Sequence, residues 1–163
     1  MTTALEIRRA LPSEEPGATM IAELWAELAE RYADDPSEPE PKGHPDDLQL
    51  HELEPPHGVF LIVEPAEGAG PIACGGIRRR ADGLGEIKRM YVRTAARGRG
   101  AGRGLLAALE TEARSLGYSA LVLETGLRQP EAIALYESAG YGIIPNYGFY
   151  KDSDLSRCYR KDF

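Results

Sequence analysis

The segment of this chain most suggestive of chemistry is a run of glycines at the threshold of a helical pattern. Four glycines occupy every second position from Gly98 to Gly104, and an amphipathic stretch follows directly. Glycine loses much conformational freedom on folding, so something there requires a bare backbone. A helix N-terminus offers unpaired N–H groups and a partial positive charge to an anion. The pattern predicts a phosphate-binding turn, and an ordinary mobile loop is the alternative.

Spacing separates this run from three other glycine-rich signatures. The P-loop needs a glycine followed by lysine and Ser/Thr, and residues 93–117 contain no lysine. The dinucleotide pattern G-x-G-x-x-G fails because its last position falls on Arg103 or Leu105. An RGG-type RNA-binding segment would be a longer repeat in disordered sequence. What remains is R-x-x-G-x-G over residues 97–102.

The flanking sequence predicts strands and a helix that would position the turn. Strands are expected at residues 58–64, 72–79 and 85–92, and the glycine clusters between them indicate antiparallel hairpins. The helix after the glycines has an apolar face that ends near Gly117. The apolar run at residues 119–124 is typical of a strand covered on both faces, which completes a β-α-β crossover.

The rest of the chain extends the same pattern. Residues 18–32 and 131–138 have helical periodicity, and the remaining strands are expected at residues 5–9, 141–144 and 157–161. A polar, proline-rich loop covers residues 34–57, with a short helix near residues 47–52. The prediction is an α/β fold, with a mixed, mostly antiparallel sheet of about seven strands, a central parallel pair and flanking helices.

Composition indicates one domain over all 163 residues, large enough to bury a core without disulfides or metal. The longest apolar run, residues 59–63, is too short to span a bilayer, and the charged N-terminus favours a cytoplasmic protein without membrane contact. Cys74 and Cys158 are expected to be small buried thiols, since two cysteines do not make a metal site. The three histidines match no zinc spacing, so no metal is expected.

The net charge of −7 conceals a local basic segment. Residues 78–103 hold nine basic and two acidic residues, which gives this segment +7 and the remainder −14. A basic island in an acidic chain points to a compact polyanion. Extended nucleic acid is not expected as a partner, because duplex binding draws on a broad basic face.

The hexapeptide resembles the Q/R-x-x-G-x-G/A signature of the GCN5-related N-acetyltransferases (GNAT), which move an acetyl group from acetyl-CoA to an amine. Its context is similar too. A strand ending in MYV precedes it, a strand ending in LET follows the helix, and EAIALYESAGY resembles the family's A-x-x-L-Y-x-x-x-G-F/Y segment. These landmarks run from residue 72 to residue 141, and the strand order on either side is compatible.

The resemblance implies a GNAT-type fold and acetyl-CoA as co-substrate. It assigns the pyrophosphate to backbone N–H groups between Gly98 and Arg103, with nearby arginines favouring its charge. It assigns the oxyanion to backbone N–H groups of β-strand residues 90–92. The apolar residues shift parity between Ile87 and Met90, which allows a β-bulge there. Gln129 stands where many relatives have asparagine and is a candidate only. The cofactor-binding residues so implied are Met90, Tyr91, Val92, Arg97, Gly98, Arg99, Gly100, Ala101, Gly102, Arg103 and Gln129.

The resemblance also implies catalytic residues. Amines are mostly protonated at pH 7, so a general base helps the attack. Glu86, eleven residues before Arg97, is the first candidate, and Glu124 is its rival. Tyr136 matches the family's tyrosine that protonates the leaving thiolate, although core packing would also explain it.

The acceptor is expected to be a primary amine of a small molecule or peptide. The eight carboxylates of residues 34–54 could attract a cationic amine, and Tyr147, Phe149 and Tyr150 could line the mouth of its site. Solvation of the acids and core or dimer packing of the rings are the alternatives, and a homodimer is compatible with the resemblance. A non-catalytic acyl-CoA sensor is the other function that this sequence allows.

Overall fold

In a computed structural model of the protein, residues 3–35 and 48–163 are described. That part of the chain forms a seven-stranded sheet with three α-helices. The strands are β1 (Leu5–Arg9), β2 (Val59–Pro65), β3 (Ala73–Ala81), β4 (Leu84–Val92), β5 (Ala120–Gly126), β6 (Gly142–Ile144) and β7 (Ser156–Asp162). The helices are α1 (Gly17–Arg31), α2 (Ala101–Ser115) and α3 (Pro130–Ser138), and short 3-10 turns cover Leu50–Leu53 and Thr94–Ala96.

The sheet has the strand order β1-β2-β3-β4-β5-β7-β6. Strands β4 and β5 pair in parallel and every other neighbouring pair is antiparallel. The predicted fold class is therefore confirmed, including the central parallel pair and the crossover through α2.

The sheet separates two apolar cores, because neighbouring residues of a strand point to opposite faces. In β2, Val59 and Leu61 pack with α2, whereas Phe60 and Ile62 pack with α1. This double coverage explains why β2 reads as a continuous apolar run. The central strands are thus held between helices on both sides.

The helix ends follow the sequence signals. Helix α2 begins after Gly100 and is followed by Gly117, and both glycines have a left-handed backbone, with φ of 86° and 87°. Pro130 opens α3, where its missing N–H removes no helical bond.

The predicted element boundaries agree with the observed ones within two residues, except in the long loop. There the expected short helix at residues 47–52 is a 3-10 turn at Leu50–Leu53, and residues 36–47 lie outside the described part. In the described ranges, no helix has the length and apolar character needed to cross a membrane.

Candidate active site

The central feature of the fold is the point where β4 and β5 separate. Their parallel register runs from Leu84 opposite Ala120 to Ile87 opposite Leu123. Strand β4 continues to Val92 and β5 to Gly126, and both continuations line a cleft of about 780 Å³. The glycine turn, α1 and α3 complete the walls. The divergence of two central strands therefore produces a site that reaches into the middle of the sheet.

A β-bulge lies in β4 where it leaves β5. Arg89 and Met90 stand opposite the single residue Gly75, and the register with β3 shifts by one at this place. Arg89 has φ of +60°, the one positive value among non-glycine residues in the described ranges. A Cβ on Gly75 would lie 3.2 Å from the Met90 side chain, so glycine makes room for it. The bulge that the apolar pattern allowed is confirmed.

The glycine turn has the geometry that its sequence predicts. Gly98 and Gly100 have φ of +75° and +86°, a conformation that glycine adopts without strain. A Cβ on either residue would meet no protein atom within 4 Å, so the space beside the turn is open. Gly102 differs, because its Cβ would lie 3.3 Å from Leu135 of α3.

The start of α2 offers donors to this open space. The amide of Gly104 donates to the Gly100 carbonyl at 2.9 Å and begins the helical hydrogen bonds. The preceding N–H groups, from Ala101 to Arg103, therefore have no helical acceptor, and these residues line the cleft. Together with the dipole of a 15-residue helix, they form a set of donors that fits a pyrophosphate group.

Most of the basic island is paired within the protein. Arg93 binds Glu23 through two nitrogens, at 2.8 and 2.7 Å. Arg97 binds Glu27 at 2.6 Å and also donates to the Val92 carbonyl at 2.9 Å. The acids lie one turn apart on α1, so they hold this helix against the end of β4. Arg93 and Arg97 therefore stabilise the packing of α1 against the sheet. The Arg97 guanidinium is already bound by Glu27 and by the Val92 carbonyl.

The two other arginines at the turn differ from Arg97. Arg99 is exposed at the tip of the turn. Arg103 is exposed on α2 and lines the cleft, and it donates to the Ser138 hydroxyl at 3.2 Å. Of these two predicted residues, Arg103 is thus part of the cleft lining, whereas Arg99 is not.

Tyr136 lies in the cleft wall, on α3. It is buried at 5% exposure and packs edge-on against Tyr141, with 5.9 Å between ring centroids. Burial raises the pKa of its hydroxyl above the usual tyrosine value, and the nearby Glu124 carboxylate adds to the shift. The hydroxyl therefore keeps its proton at neutral pH.

The two carboxylates named as base candidates have different surroundings. Glu124 is half-buried on β5, lines the cleft and accepts a hydrogen bond from the Ser156 hydroxyl at 2.9 Å. Glu86 is 2% exposed and does not line that cleft. Its two oxygens accept hydrogen bonds from Arg78 and Tyr147, each at 2.6 Å.

Some of the other residues predicted from the sequence line the cleft, and others lie outside it. Met90, Tyr91, Val92 and Gln129 line the cleft, as does Tyr150. The Tyr147 hydroxyl donates its hydrogen bond to Glu86. The Phe149 side chain is 57% exposed and packs against the Tyr150 ring. Of the acidic loop, residues 36–47, including His44, lie outside the described part. The two cysteines are buried as predicted.

Trp25, Tyr32 and Ser156 are among the cleft residues that the sequence did not single out. Trp25 lies on α1 and Tyr32 directly follows this helix, and the Tyr32 hydroxyl lies so close to Gly126 that a Cβ on Gly126 could not fit. Ser156 joins from β7, where it pairs with Gly126. The helical periodicity around Trp25 does not indicate a cleft, because periodicity does not distinguish a core face from a cleft wall.

Comparison with known proteins defines the class. Residues 25–141 match the acetyltransferase (GNAT) family, and the chain belongs to this family. An IAA acetyltransferase from Azospirillum brasilense is 37% identical over 151 residues, which cover 92% of each chain.

Solved structures agree with this assignment. A structure from Klebsiella pneumoniae, of a protein assigned to the acyl-CoA N-acyltransferases, superimposes with a TM-score of 0.77 at 30% identity and covers 97% of each chain. The PaiA N-acetyltransferase from Thermoplasma acidophilum, solved in complex with coenzyme A, has a TM-score of 0.71 at 16% identity and covers 98% of this chain and 99% of its own. At 16% identity, the similarity to the Thermoplasma acidophilum structure shows a shared fold alone.

Proposed function

We propose that this GNAT-family acetyltransferase moves the acetyl group of acetyl-CoA to a primary amine by direct attack in the β4–β5 cleft. One observation carries the proposal. The same cleft joins the donors at the start of α2 to the bulge of β4, the Tyr136 ring and the Glu124 carboxylate. The proposed phosphate site at the start of α2 and the proposed proton donor, Tyr136, thus line one cleft.

The phosphate end of the site uses backbone groups. In the proposal, N–H groups from Gly98 to Arg103 hold the pyrophosphate, while Arg99 and Arg103 add charge from the solvent side. The backbone of Met90, Tyr91 and Val92 lies beyond the last residues paired with β5, so it can face the thioester oxygen.

The proton transfers are assigned to Glu124 and Tyr136. Glu124 takes a proton from the attacking amine, directly or through water, as the C–N bond forms. The oxyanion then collapses, the C–S bond breaks, and Tyr136 gives its proton to the departing thiolate. This role requires a hydroxyl that is protonated at the start, and Tyr136 meets that requirement at neutral pH. Solvent afterwards restores both side chains.

Glu124 is preferred to Glu86 because of where their oxygens lie. An arginine and a tyrosine already bind the Glu86 carboxylate outside the main cleft. A base must come within hydrogen-bond reach of the amine, and Glu124 lies on the wall that also holds Ser156.

The test is release of thiol from acetyl-CoA over a panel of amino acids, polyamines, aminoglycosides and peptides. With an active acceptor, Tyr136→Phe should lower kcat by about 10²- to 10⁴-fold, the usual contribution of general acid–base catalysis, and leave the affinity for acetyl-CoA unchanged. Glu124→Gln should lower kcat by a similar factor, whereas Glu86→Gln should leave kcat of the folded enzyme nearly unchanged.

Coenzyme binding without turnover for every amine would contradict the proposal and favour the acyl-CoA sensor. A large loss of kcat in Glu86→Gln, with kcat retained in Glu124→Gln, would move the base to Glu86.

A further inference from the structure

Ser156 places a hydroxyl in the cleft wall, and its neighbours fix its position. It opens β7, is 3% exposed and lines the cleft. Its N–H donates to the Ser153 carbonyl at 3.2 Å, and its carbonyl accepts a hydrogen bond from the Asn146 amide at 3.2 Å. Ser156 also pairs with Gly126 of β5. A side chain on a strand is held more precisely than one on a loop, so this hydroxyl has a defined place in the cleft.

The Ser156 hydroxyl is bonded to the proposed general base. Glu124 stands two positions before Gly126, the residue opposite Ser156, so the two side chains are diagonal neighbours on one face of the sheet. Ser156 Oγ donates to Glu124 Oε1 at 2.9 Å. An ionised carboxylate only accepts hydrogen bonds, so the single hydroxyl proton is directed to Glu124. Across residues 3–35 and 48–163, no protein group donates to the lone pairs of Ser156 Oγ, and an amine in the cleft can supply that donor.

We propose that Ser156 is a catalytic residue that relays the proton of the attacking amine to Glu124. The inference rests on the proposed acetyl transfer to an amine with Glu124 as base. The neutral amine attacks the thioester carbon, the C–N bond forms and the nitrogen becomes positively charged. One N–H proton moves to Ser156 Oγ while the hydroxyl proton moves to Glu124 Oε1. The hydroxyl is restored in the same step, and Glu124 is left neutral.

A fixed hydroxyl has an advantage over solvent in this role. A general base can act on its substrate through one water molecule, but ordering that water costs entropy. The Ser156 hydroxyl is already ordered by its strand and by its bond to Glu124. Because it gains one proton as it loses another, it never has to ionise. The relay therefore replaces the water that otherwise connects the amine to Glu124.

Ser156→Ala tests the relay with the best acceptor of the amine panel. Thiol release should show kcat lowered about 10²-fold, the lower end of the range for general acid–base catalysis, because water can partly replace the hydroxyl. The affinity for acetyl-CoA should be unchanged, and Ser156→Thr, which keeps a hydroxyl, should recover part of the rate. Ser119→Ala is the matched control. The Ser119 hydroxyl donates to the Gly83 carbonyl at 3.2 Å, but this residue is exposed and outside the cleft lining.

A solvent isotope measurement distinguishes a relay from a hydroxyl that only positions Glu124. In single-turnover reactions, two protons that move together make the rate fall along a curve as the fraction of deuterium oxide rises, whereas one proton gives a straight line. The wild type should show the curve and Ser156→Ala the line. A straight line in the wild type, or an unchanged kcat in Ser156→Ala, would overturn the relay and leave amine acetylation intact. Absence of thiol release by the wild type with every amine would instead refute the proposed function, and the relay with it.

Discussion

Replacement of Gly100 by alanine separates the structural and ligand roles of the glycine turn. Gly100 has φ of +86°, and Gly117, at the other end of α2, has φ of +87°. Neither position has a protein atom within 4 Å of an added Cβ. The left-handed backbone costs an L residue about 1–2 kcal/mol, so both alanine variants should lose about that much stability. For a domain of this size that corresponds to a fall in Tm of about 2–8 °C.

The affinity for coenzyme A should separate the two variants. Only the Gly100 Cβ occupies the open space beside the proposed phosphate donors, whereas Gly117 lies beyond the far end of the helix. Calorimetric titration should therefore give a Kd raised roughly 10- to 100-fold for Gly100→Ala, as for loss of a charged hydrogen bond, and an unchanged Kd for Gly117→Ala. An unchanged Kd in Gly100→Ala, or equal increases in both variants, would refute the assignment of the turn to phosphate.

Two further predictions concern buried groups. Glu86→Gln removes the nearest charge of the buried Arg78 guanidinium, which keeps the Glu52 carboxylate at 3.3 Å, so the free energy of unfolding should fall by about 1–3 kcal/mol in urea titration; no measurable fall would refute the structural role of the pair. Burial raises the pKa of the Cys74 thiol to about 12 from an ordinary 9.0. The stabilising contribution of the neutral thiol is complete below pH 9 and is lost as pH rises towards 12, so Cys74→Ala should show a shallower decline in stability over that interval. Identical slopes would mean that the thiol titrates as in the unfolded chain.

The parts of the fold that could be predicted are those that depend on sequence patterns within a single strand, helix or turn. The continuous apolar run of β2, the apolar stripe of α2 and the glycine at each end of α2 are all visible within a few neighbouring residues of the sequence. The glycine turn was predicted for the same reason, since its φ values and helix start are local properties.

Pairings between distant residues could not be predicted. Arg97 meets Glu27 and Glu86 meets Tyr147 across 70 and 61 positions of sequence. Charge counting over residues 78–103 therefore predicts a site for an anion, whereas the fold pairs Arg93 and Arg97 of this segment with two acids of α1. Likewise the sequence predicts Glu86 as a base, and the fold shows that Arg78 and Tyr147 already bind its carboxylate.

The most direct test of the account is to identify where the acetyl group goes. Mass spectrometry should follow an isotopically labelled acetyl group from acetyl-CoA during reaction with the best acceptor of the panel. Direct transfer predicts one acetyl group on the amine nitrogen for each thiol released, no labelled protein, and both products formed about 10²- to 10⁴-fold more slowly in Tyr136→Phe. Label retained on the protein, or thiol release with free acetate and no acetylated amine, would contradict direct transfer in the β4–β5 cleft.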